Sequence, residues 1–407
     1  MDPSLGVHSE LGRLRQVLVC KPGMAQRRQR PGSDAGALFD ALPLVDQAAE
    51  EHGRFCAALR LLGVEVLELH HLLAATLERR IARNWLLDRW LDVSRVDAEL
   101  AQQLRPWLQD LPAAELAERL IGGLLRAELP FEASEPQGLQ LRSADPRTPL
   151  LTPLPGSVLM RDSSVWIGDG VALSRLREPE RRDEALLLGA VYHFHPRFVG
   201  CNTGWWGEGE QDHGPALLAG GDVMPLSKGL VLLGLGQHSS VQAVSQLARN
   251  LLKRGGADRV LVAQLPAQPA GCHLDRLLSF CDRDLVVVGG SALNASQTFS
   301  LRRGARDDQL DVRPEPHPLL QVLAEALSLK QLRVVVSGGD PGGPWEDGGQ
   351  LLATAPGQVL AWQRNVHTNA QLREAGVEVI ELPGGSLGRA GSHAYACPIS
   401  REALSVP

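Results

Sequence analysis

The sequence has few cysteines, and they lack the spacings typical of structural sites. The six are spread over 407 residues, at Cys20, Cys56, Cys201, Cys272, Cys281 and Cys397. They form no Cys-x-x-Cys pair and no pattern typical of a zinc site. Scattered cysteines indicate reduced thiols, as in a cytoplasmic protein. On this basis we expect a cytoplasmic location, no metal and no other cofactor.

Long apolar runs and strongly basic runs are also missing. No uninterrupted apolar segment approaches the length needed to span a bilayer, and the first residues show no pattern of a signal peptide. A formal charge of -6 without a Lys/Arg-rich run argues against nucleic acid or an acidic membrane as partner. With 44% hydrophobic residues, a chain of this length can bury a large core, as one domain or as one domain with an insertion.

Strand patterns and helix patterns alternate along most of the chain. Leu14 to Cys20 predicts a first strand, and apolar residues recur at helical spacing from Asp46 to Leu62. Val64 to Leu69 then alternates like a strand with one buried face, and Gly376 to Leu382 repeats this pattern near the other end. Ser239 to Gln242 opens a further helix with a capping box. These units predict an α/β protein with a repeated supersecondary element.

One stretch departs from this alternation. From about Leu72 to Leu129 the sequence is rich in Leu, Ala, Glu and Arg and almost free of β-branched residues, which favours helices. A proline-rich passage from Asp145 to Gly156 then leads back to strand-like sequence. We interpret this stretch as an inserted helical module without chemistry of its own.

His273 and Asp275 are candidates for chemistry on a cationic substrate. On an extended segment, residues two apart point to the same face, so an imidazole would stand beside a carboxylate. The imidazole can transfer protons, and the carboxylate can hold a cation. An ordinary loop histidine and an aspartate paired with Arg276 would fit the spacing as well.

Motifs along the whole chain extend this interpretation. They are Gly6-Val7-His8-Ser9-Glu10, Arg161-Asp162, Arg181-Arg182, Gly220-Gly221-Asp222-Val223-Met224-Pro225, His273-Leu274-Asp275, Arg364-Asn365 with Thr368-Asn369, Ala375-Gly376-Val377-Glu378-Val379, and His393 with Cys397-Pro398-Ile399. In this order they resemble the bacterial arginine deiminases. The resemblance implies a fivefold pseudosymmetric α/β propeller, the pentein fold, with the active site in its central channel. The propeller would span residues 1–71 and 149–407, with residues 72–148 as the helical insertion.

The resemblance also implies roles for single residues. Arginine deiminases convert arginine and water to citrulline and ammonia, with a cysteine nucleophile, a glutamate, a histidine and two aspartates. Asp162 and Asp275 match the aspartates that bind the guanidinium, and His273 matches the acid/base. Arg181 matches the arginine that binds the α-carboxylate, although a solvated charge run would also explain it. Arg389 has the spacing of a mobile-loop arginine of the family.

Two residues essential to that chemistry are absent. The family motif His-Cys-Met-Thr/Ser-Cys-Pro places the nucleophile where this chain has Ala394. The catalytic glutamate directly precedes Gly-Gly-Asp in the family, and this chain has Ala219 there. An alanine methyl group cannot attack carbon.

Three further positions that surround the substrate in the family also differ. Gly156 stands where an asparagine is expected, His238 where a second arginine is expected, and Leu159 where an aromatic residue is expected.

We therefore predict a protein of this family that does not hydrolyse arginine, or does so weakly. It would bind a guanidine-like small molecule or a paralogue, and the resemblance makes a homo-oligomer plausible. A hydrolase with an unusual nucleophile (Cys397, Cys272 or a water activated by His273) and a purely structural subunit remain alternatives.

Overall fold

The structure is a computed structural model that describes residues 5–28, 45–131, 138–207, 213–266, 273–289, 293–294, 296–306, 309–337, 349–385, 387 and 391–404. Its strands are β1 (Leu14–Val19), β2 (Glu65–Glu68), β3 (Leu124–Leu125), β4 (Pro149–Leu151), β5 (Ser164–Ile167), β6 (Gly170–Leu173), β7 (Asn202–Trp206), β8 (Val223–Ser227), β9 (Gly229–Leu235), β10 (Ala257–Gln264), β11 (Leu278–Asp282), β12 (Leu285–Val288), β13 (Thr298–Arg303), β14 (Leu310–Pro314), β15 (Arg333–Val336), β16 (Leu352–Ala355), β17 (Gln358–Trp362), β18 (Glu378–Leu382) and β19 (Cys397–Arg401).

The α-helices are α1 (Met24–Arg27), α2 (Val45–Leu61), α3 (Leu69–Leu77), α4 (Arg80–Trp90), α5 (Ala98–Asp110), α6 (Ala113–Gly122), α7 (Leu139–Ser143), α8 (Met160–Ser163), α9 (Arg182–Phe194), α10 (Val241–Arg254), α11 (Leu274–Leu277), α12 (Leu319–Ala326) and α13 (Val366–Glu374). No helix of the described residues is both long enough and apolar enough to cross a bilayer.

Five sheets of the described residues contain one repeated arrangement of three strands, and the sheet with β8, β9 and β10 continues through β13 and β14. In each, a central strand pairs antiparallel with one neighbour and parallel with the other. The five triplets are β19-β1-β2, β5-β6-β7, β8-β9-β10, β11-β12-β15 and β16-β17-β18. A helix lies between each central strand and its parallel partner, because parallel strands need a crossover connection. The predicted α/β class with a repeated unit is confirmed.

The first of these sheets joins the two ends of the chain. Its central strand β1 takes its parallel partner β2 from the same part of the sequence, across α2. Its antiparallel partner is β19, near the carboxyl end, with Val17 opposite Pro398 and Leu18 opposite Cys397. The first unit therefore forms only when residues almost 400 positions apart have met, a pairing that local sequence patterns do not predict.

Helix α10 illustrates how local sequence forms these units. Ser240 caps its start, with the side-chain oxygen accepting a hydrogen bond from the Ala243 N–H at 3.4 Å. Gly255 ends the helix at φ 78°, a left-handed conformation that glycine adopts without strain. The apolar residues between these caps lie on one face, and six of them are buried: Ala243, Val244, Leu247, Ala248, Leu251 and Leu252. The predicted helix is confirmed, but the predicted capping box at Ser239 to Gln242 is absent, because Ser240 is the cap and Ser239 Oγ donates to Asp222 instead.

Helices α3 to α6 follow β2 and form most of the stretch predicted to be helical. Their buried leucines share one hydrophobic cluster with residues of the sheets, including Leu18 of β1, Val171 of β6 and Ile399 of β19. The division into a propeller and an insertion at residues 72–148 stays a prediction. Strand β2 differs from expectation: it is shorter than the predicted 64–69, and its residues are half-buried or exposed because it forms the edge of its sheet.

Candidate active site

Four short turns carry the polar side chains of the candidate site. Each turn directly precedes the antiparallel strand of its sheet unit: α8 precedes β5, Gly220–Asp222 precedes β8, α11 precedes β11, and Ser392–Tyr395 precedes β19. The first of them, α8, packs against the second and the fourth, and α11 packs against the second. Because the units repeat, side chains from equivalent positions in distant parts of the sequence meet in one region.

Asp162 and Asp275 face the same small space. A Cβ atom added at Gly221 would lie 2.9 Å from Oδ2 of Asp275 and 3.2 Å from Oδ1 of Asp162. Both aspartates are buried. Glycine at position 221 therefore leaves room between two carboxylates, an arrangement that suits a small planar cation such as a guanidinium.

The aspartates of this region differ in protonation. Burial raises the pKa of Asp275 well above its ordinary value, and the nearby Asp162 carboxylate adds to the effect. Burial also raises the pKa of Asp222 to about 7. The pKa of Asp162 is lowered: burial opposes its charge, but attraction by His273 and by the Arg181 guanidinium outweighs burial. These opposite shifts favour the ionised form of Asp162 and the protonated form of Asp275.

His273 does not lie on an extended segment with Asp275, as the sequence analysis assumed. It is the residue before α11, and Asp275 lies within the first turn of that helix. The His273 ring stacks on His238 with centroids 4.1 Å apart, and its Nδ1 lies 3.7 Å from Oδ1 of Asp222. Burial lowers the pKa of His273 to about 4, so the ring is neutral near pH 7 and can accept a proton.

Arg181 is buried, so its interpretation as part of a solvated charge run is wrong. Its guanidinium binds Glu184 through two hydrogen bonds, Nε to Oε1 at 3.0 Å and Nη2 to Oε2 at 3.1 Å. Its Nη1 donates to Oδ2 of Asp162 at 3.1 Å, and Nη2 donates to the Gly156 carbonyl at 3.3 Å. Burial alone would lower the pKa of Arg181, but the two carboxylates raise it, so the charge stays in place.

Gly156 makes room for this ion pair. A Cβ atom at position 156 would lie 2.3 Å from Nε of Arg181 and 2.4 Å from Oε1 of Glu184. An asparagine, expected here from the resemblance, is therefore incompatible with the observed positions of both side chains. Leu159, at the position expected to be aromatic, is buried in a hydrophobic cluster that also contains Ala394.

The two alanines at the positions where the resemblance predicts catalytic residues both lie at this site. Ala394 is buried on the Ser392–Tyr395 turn, beside His393, whose Nε2 lies 3.8 Å from Oδ2 of Asp275. Ala219 is buried directly before Gly220, and its N–H donates to Ser239 Oγ at 3.2 Å. Neither position supplies a group that can attack carbon or transfer a proton.

Cys397 packs in the hydrophobic core. It is buried in the hydrophobic cluster under β1 and α3, with its Sγ 3.3 Å from the Ser164 carbonyl oxygen. Burial raises the pKa of its thiol to about 11, so it holds little thiolate at neutral pH. Cys272 and Arg389 lie outside the described residues.

Two charged residues of this site, Glu184 and Asp222, were not among the predicted site residues. Glu184 neutralises Arg181 from one helical turn away, and the spacing of three residues in a predicted helix was a signal for that pair. Asp222 holds the turns together by accepting from Ser239 Oγ at 2.6 Å and from the Leu274 N–H at 2.8 Å. It belongs to the Gly-Gly-Asp motif, but motif matching alone did not reveal its position beside His273.

Comparison with solved structures defines the class of fold. An amidinotransferase of saxitoxin biosynthesis from Microseira wollei superposes with a TM-score of 0.58 over 98% of both chains, at 11% identity. At this identity the similarity concerns the fold alone. This chain therefore has the α/β fold found in amidinotransferases.

Comparison of sequences narrows the class to a family. The family model for arginine deiminase matches residues 36–401. The arginine deiminases of Rhodococcus erythropolis and Rhodococcus opacus are 36% and 37% identical to this chain, each over 98% of both sequences. The chain belongs to the arginine deiminase family.

Proposed function

We propose that this protein binds a guanidinium-bearing small molecule and does not hydrolyse arginine at an appreciable rate. The observation that carries the proposal is the convergence of Asp162 and Asp275 around Gly221, beside Ala394 and Ala219. The carboxylates that would hold the cation remain. The groups that would cut the carbon–nitrogen bond in the family reaction are replaced by methyl groups.

The two oxygens of Asp162 have different tasks in this proposal. Oδ2 accepts from Arg181, whereas Oδ1 faces Gly221 and Asp275. A ligand guanidinium would donate to Oδ1 of Asp162 and to Asp275, which must give up its proton to become a charged acceptor. Arg181 then acts as a fixed counter-charge that keeps Asp162 ionised before the ligand arrives.

The α-carboxylate of arginine would find weak recognition here. The guanidinium of Arg181 is already held by Glu184 and Asp162, and His238 replaces the second arginine of the family. We therefore propose that ligands without a carboxylate, such as agmatine or guanidine itself, bind about as well as arginine.

The remaining features of the proposal concern architecture and setting. Five repeated sheets, with β19 completing the sheet of β1, support a closed fivefold propeller with the site at its centre. We also propose a homo-oligomer in the cytoplasm with neither nucleic acid nor membrane as partner, for which composition and family resemblance are the support.

A slow water-dependent hydrolysis is a second candidate, favoured by the neutral His273. Its ring could take a proton from a water attacking the guanidinium carbon and return it to the departing ammonia. Without a covalent intermediate we expect this reaction to be much slower than the family reaction.

One experiment separates these candidates. Purified protein is mixed with arginine, agmatine or guanidine, and thermal stabilisation, citrulline or urea, and ammonia are measured on the same samples. A binder is stabilised by all three compounds and forms no product. Rapid formation of citrulline would contradict the proposal, slow release of ammonia would support the water reaction, and the absence of both effects would indicate a structural subunit.

A further inference from the structure

A second cluster of chemically reactive side chains lies outside the candidate active site. Cys20 directly follows β1, and Glu68 is the last residue of the neighbouring parallel strand β2, with Val19 paired opposite Glu68. His70 is the second residue of α3, which begins where β2 ends. Strand pairing thus brings a thiol, a carboxylate and an imidazole together from sequence positions up to 50 residues apart.

The donor atoms of these three residues have the separations expected around one metal ion. They all lie within 4.8 Å of one another, with Nδ1 of His70 4.0 Å from Cys20 Sγ and 3.0 Å from Oε1 of Glu68. Zinc bonds of about 2.0 to 2.3 Å in a tetrahedron place neighbouring donors roughly 3.2 to 3.8 Å apart. The two distances from His70 Nδ1 lie within a few tenths of an ångström of this range.

Neighbouring residues hold these side chains in position through hydrogen bonds, as the residues around zinc ligands do. Nε2 of His70 lies 3.3 Å from Oε2 of Glu118 on α6, so the ring can bind a metal through Nδ1 and donate its other N–H to a carboxylate. Oε1 of Glu68 accepts from the Lys21 N–H at 3.0 Å. Such hydrogen bonds hold ligating carboxylates and histidines in position.

Charge and access also suit a divalent cation. A thiolate and a carboxylate together neutralise a doubly charged ion, and the histidine binds in its neutral form. Cys20 is almost fully buried, whereas the side chains of Glu68 and His70 are 17% and 20% exposed. An ion can therefore enter from the exposed side and meet the thiol at the bottom of the site.

An ion pair without metal is the simpler explanation of Glu68, His70 and Glu118. It explains the two carboxylates on either side of the imidazole, but it gives the thiol no role. A second cysteine–histidine pair in this chain allows a comparison: Sγ of Cys56 lies 3.7 Å from Nδ1 of His52. No carboxylate joins that pair: within the described residues, Cys20, Glu68 and His70 are the one group of three such donors.

We infer that Cys20, Glu68 and His70 bind Zn²⁺, with Glu118 holding His70 from the outer shell. Three protein ligands leave a fourth position for water. The ion would connect the first sheet with helices α3 and α6, so it would tie the helical stretch to the sheets. No short spacing motif predicts this site, because its residues are distributed from position 20 to position 118.

The test uses the full chain, freed of metal by a chelator and then dialysed. We expect one Zn²⁺ per chain by elemental analysis, a higher melting temperature with Zn²⁺, and a thiolate-to-cobalt charge-transfer band when Co²⁺ is added instead. Cys20→Ser should abolish the band, and His70→Ala should abolish stoichiometric zinc binding. Glu118→Gln, at a partly exposed position, should fold normally and weaken zinc binding roughly 10- to 100-fold.

Cys56→Ser is the matched control, since it removes a buried cysteine beside a histidine but none of the proposed zinc ligands. It should leave the cobalt band and the zinc stoichiometry unchanged. The inference is overturned if the chain binds no zinc, or if Cys20→Ser and Glu118→Gln bind it as tightly as the unmodified chain. Equal loss of the band in Cys56→Ser would also overturn it.

Discussion

The two aspartates that face Gly221 should respond in opposite ways to the same substitution. Burial raises the pKa of Asp275 well above the ordinary value, which favours its protonated form in the ligand-free protein. Asn is close in shape to a neutral aspartic acid. We therefore expect Asp275→Asn to change the free energy of unfolding by no more than about 1 kcal/mol, the net contribution of one ordinary hydrogen bond.

Asp162→Asn should be far more damaging to stability. Asp162 is ionised and forms a buried ion pair with Arg181, at 3.1 Å between Nη1 and Oδ2. Removing one charge from a buried pair leaves the partner less well compensated, which costs about 3–5 kcal/mol. Glu184 continues to neutralise part of the Arg181 charge, so we expect the lower end of that range.

Asp275 should matter much more for ligand binding than for the stability of the folded protein. A guanidinium bound between the two carboxylates donates a charge-assisted hydrogen bond to Asp275, worth about 1.5–3 kcal/mol. Asp275→Asn should therefore weaken guanidine binding roughly 10- to 150-fold, although the folded protein is almost as stable as before.

Urea denaturation and calorimetric titration with guanidine or arginine test both halves of this prediction. Asp46→Asn, whose side chain is 82% exposed on α2, provides the control and should change stability by less than about 0.5 kcal/mol. If Asp275→Asn destabilises the protein as much as Asp162→Asn does, Asp275 is ionised in the free protein and the assignment of protonation is wrong. Unchanged guanidine binding by Asp275→Asn would refute the proposed binding site.

Three further predictions concern the same site. Gly221→Ala should lower guanidine affinity roughly 5- to 150-fold, because it places a methyl group between the carboxylates. The control is Gly53→Ala in α2, where a Cβ atom meets no other atom within 4 Å, and it should leave the affinity unchanged in the same titration. Guanidine affinity should rise by up to about tenfold per pH unit as pH increases towards 8. The reason is that Asp222, with a pKa of about 7, and Asp275 must lose protons near a bound cation. Titrations from pH 5.5 to 8 that give a constant affinity would contradict this prediction. The double variant Ala394→Cys with Ala219→Glu should form citrulline from arginine, whereas the unmodified chain should form almost none. If the double variant binds arginine without making citrulline, His273 does not reach the bound guanidinium.

The raised pKa values have a consequence for the ligand-free protein as well. An aspartate with a higher pKa in the native state keeps a proton that the unfolded chain releases, so native stability falls as pH increases through that range. For Asp222 the range extends from about 4, the value in the unfolded chain, to about 7. Denaturation curves at several pH values should detect this decrease in the absence of ligand.

The sequence alone predicted the features that depend on neighbouring residues. Apolar periodicity predicted helix α10 and most of its buried face, because periodicity depends only on residues within a few turns, whereas the predicted capping box at its start did not form. The motifs also indicated the family, and the alanines at positions 219 and 394 are evident from residue order within those motifs. Each of these inferences uses residue identity and short spacing.

Tertiary structure decided which side chains meet and in which state of charge. Asp162, Asp222 and Asp275 come together because separate sheet units place equivalent turns at one centre, and the first unit forms only when β19 returns to β1. Burial in that centre raises the pKa of Asp275 and lowers the pKa of His273, while Arg181 pairs with Glu184 and Asp162. Desolvation and long-range charge act through space, so no spacing along the chain determines them.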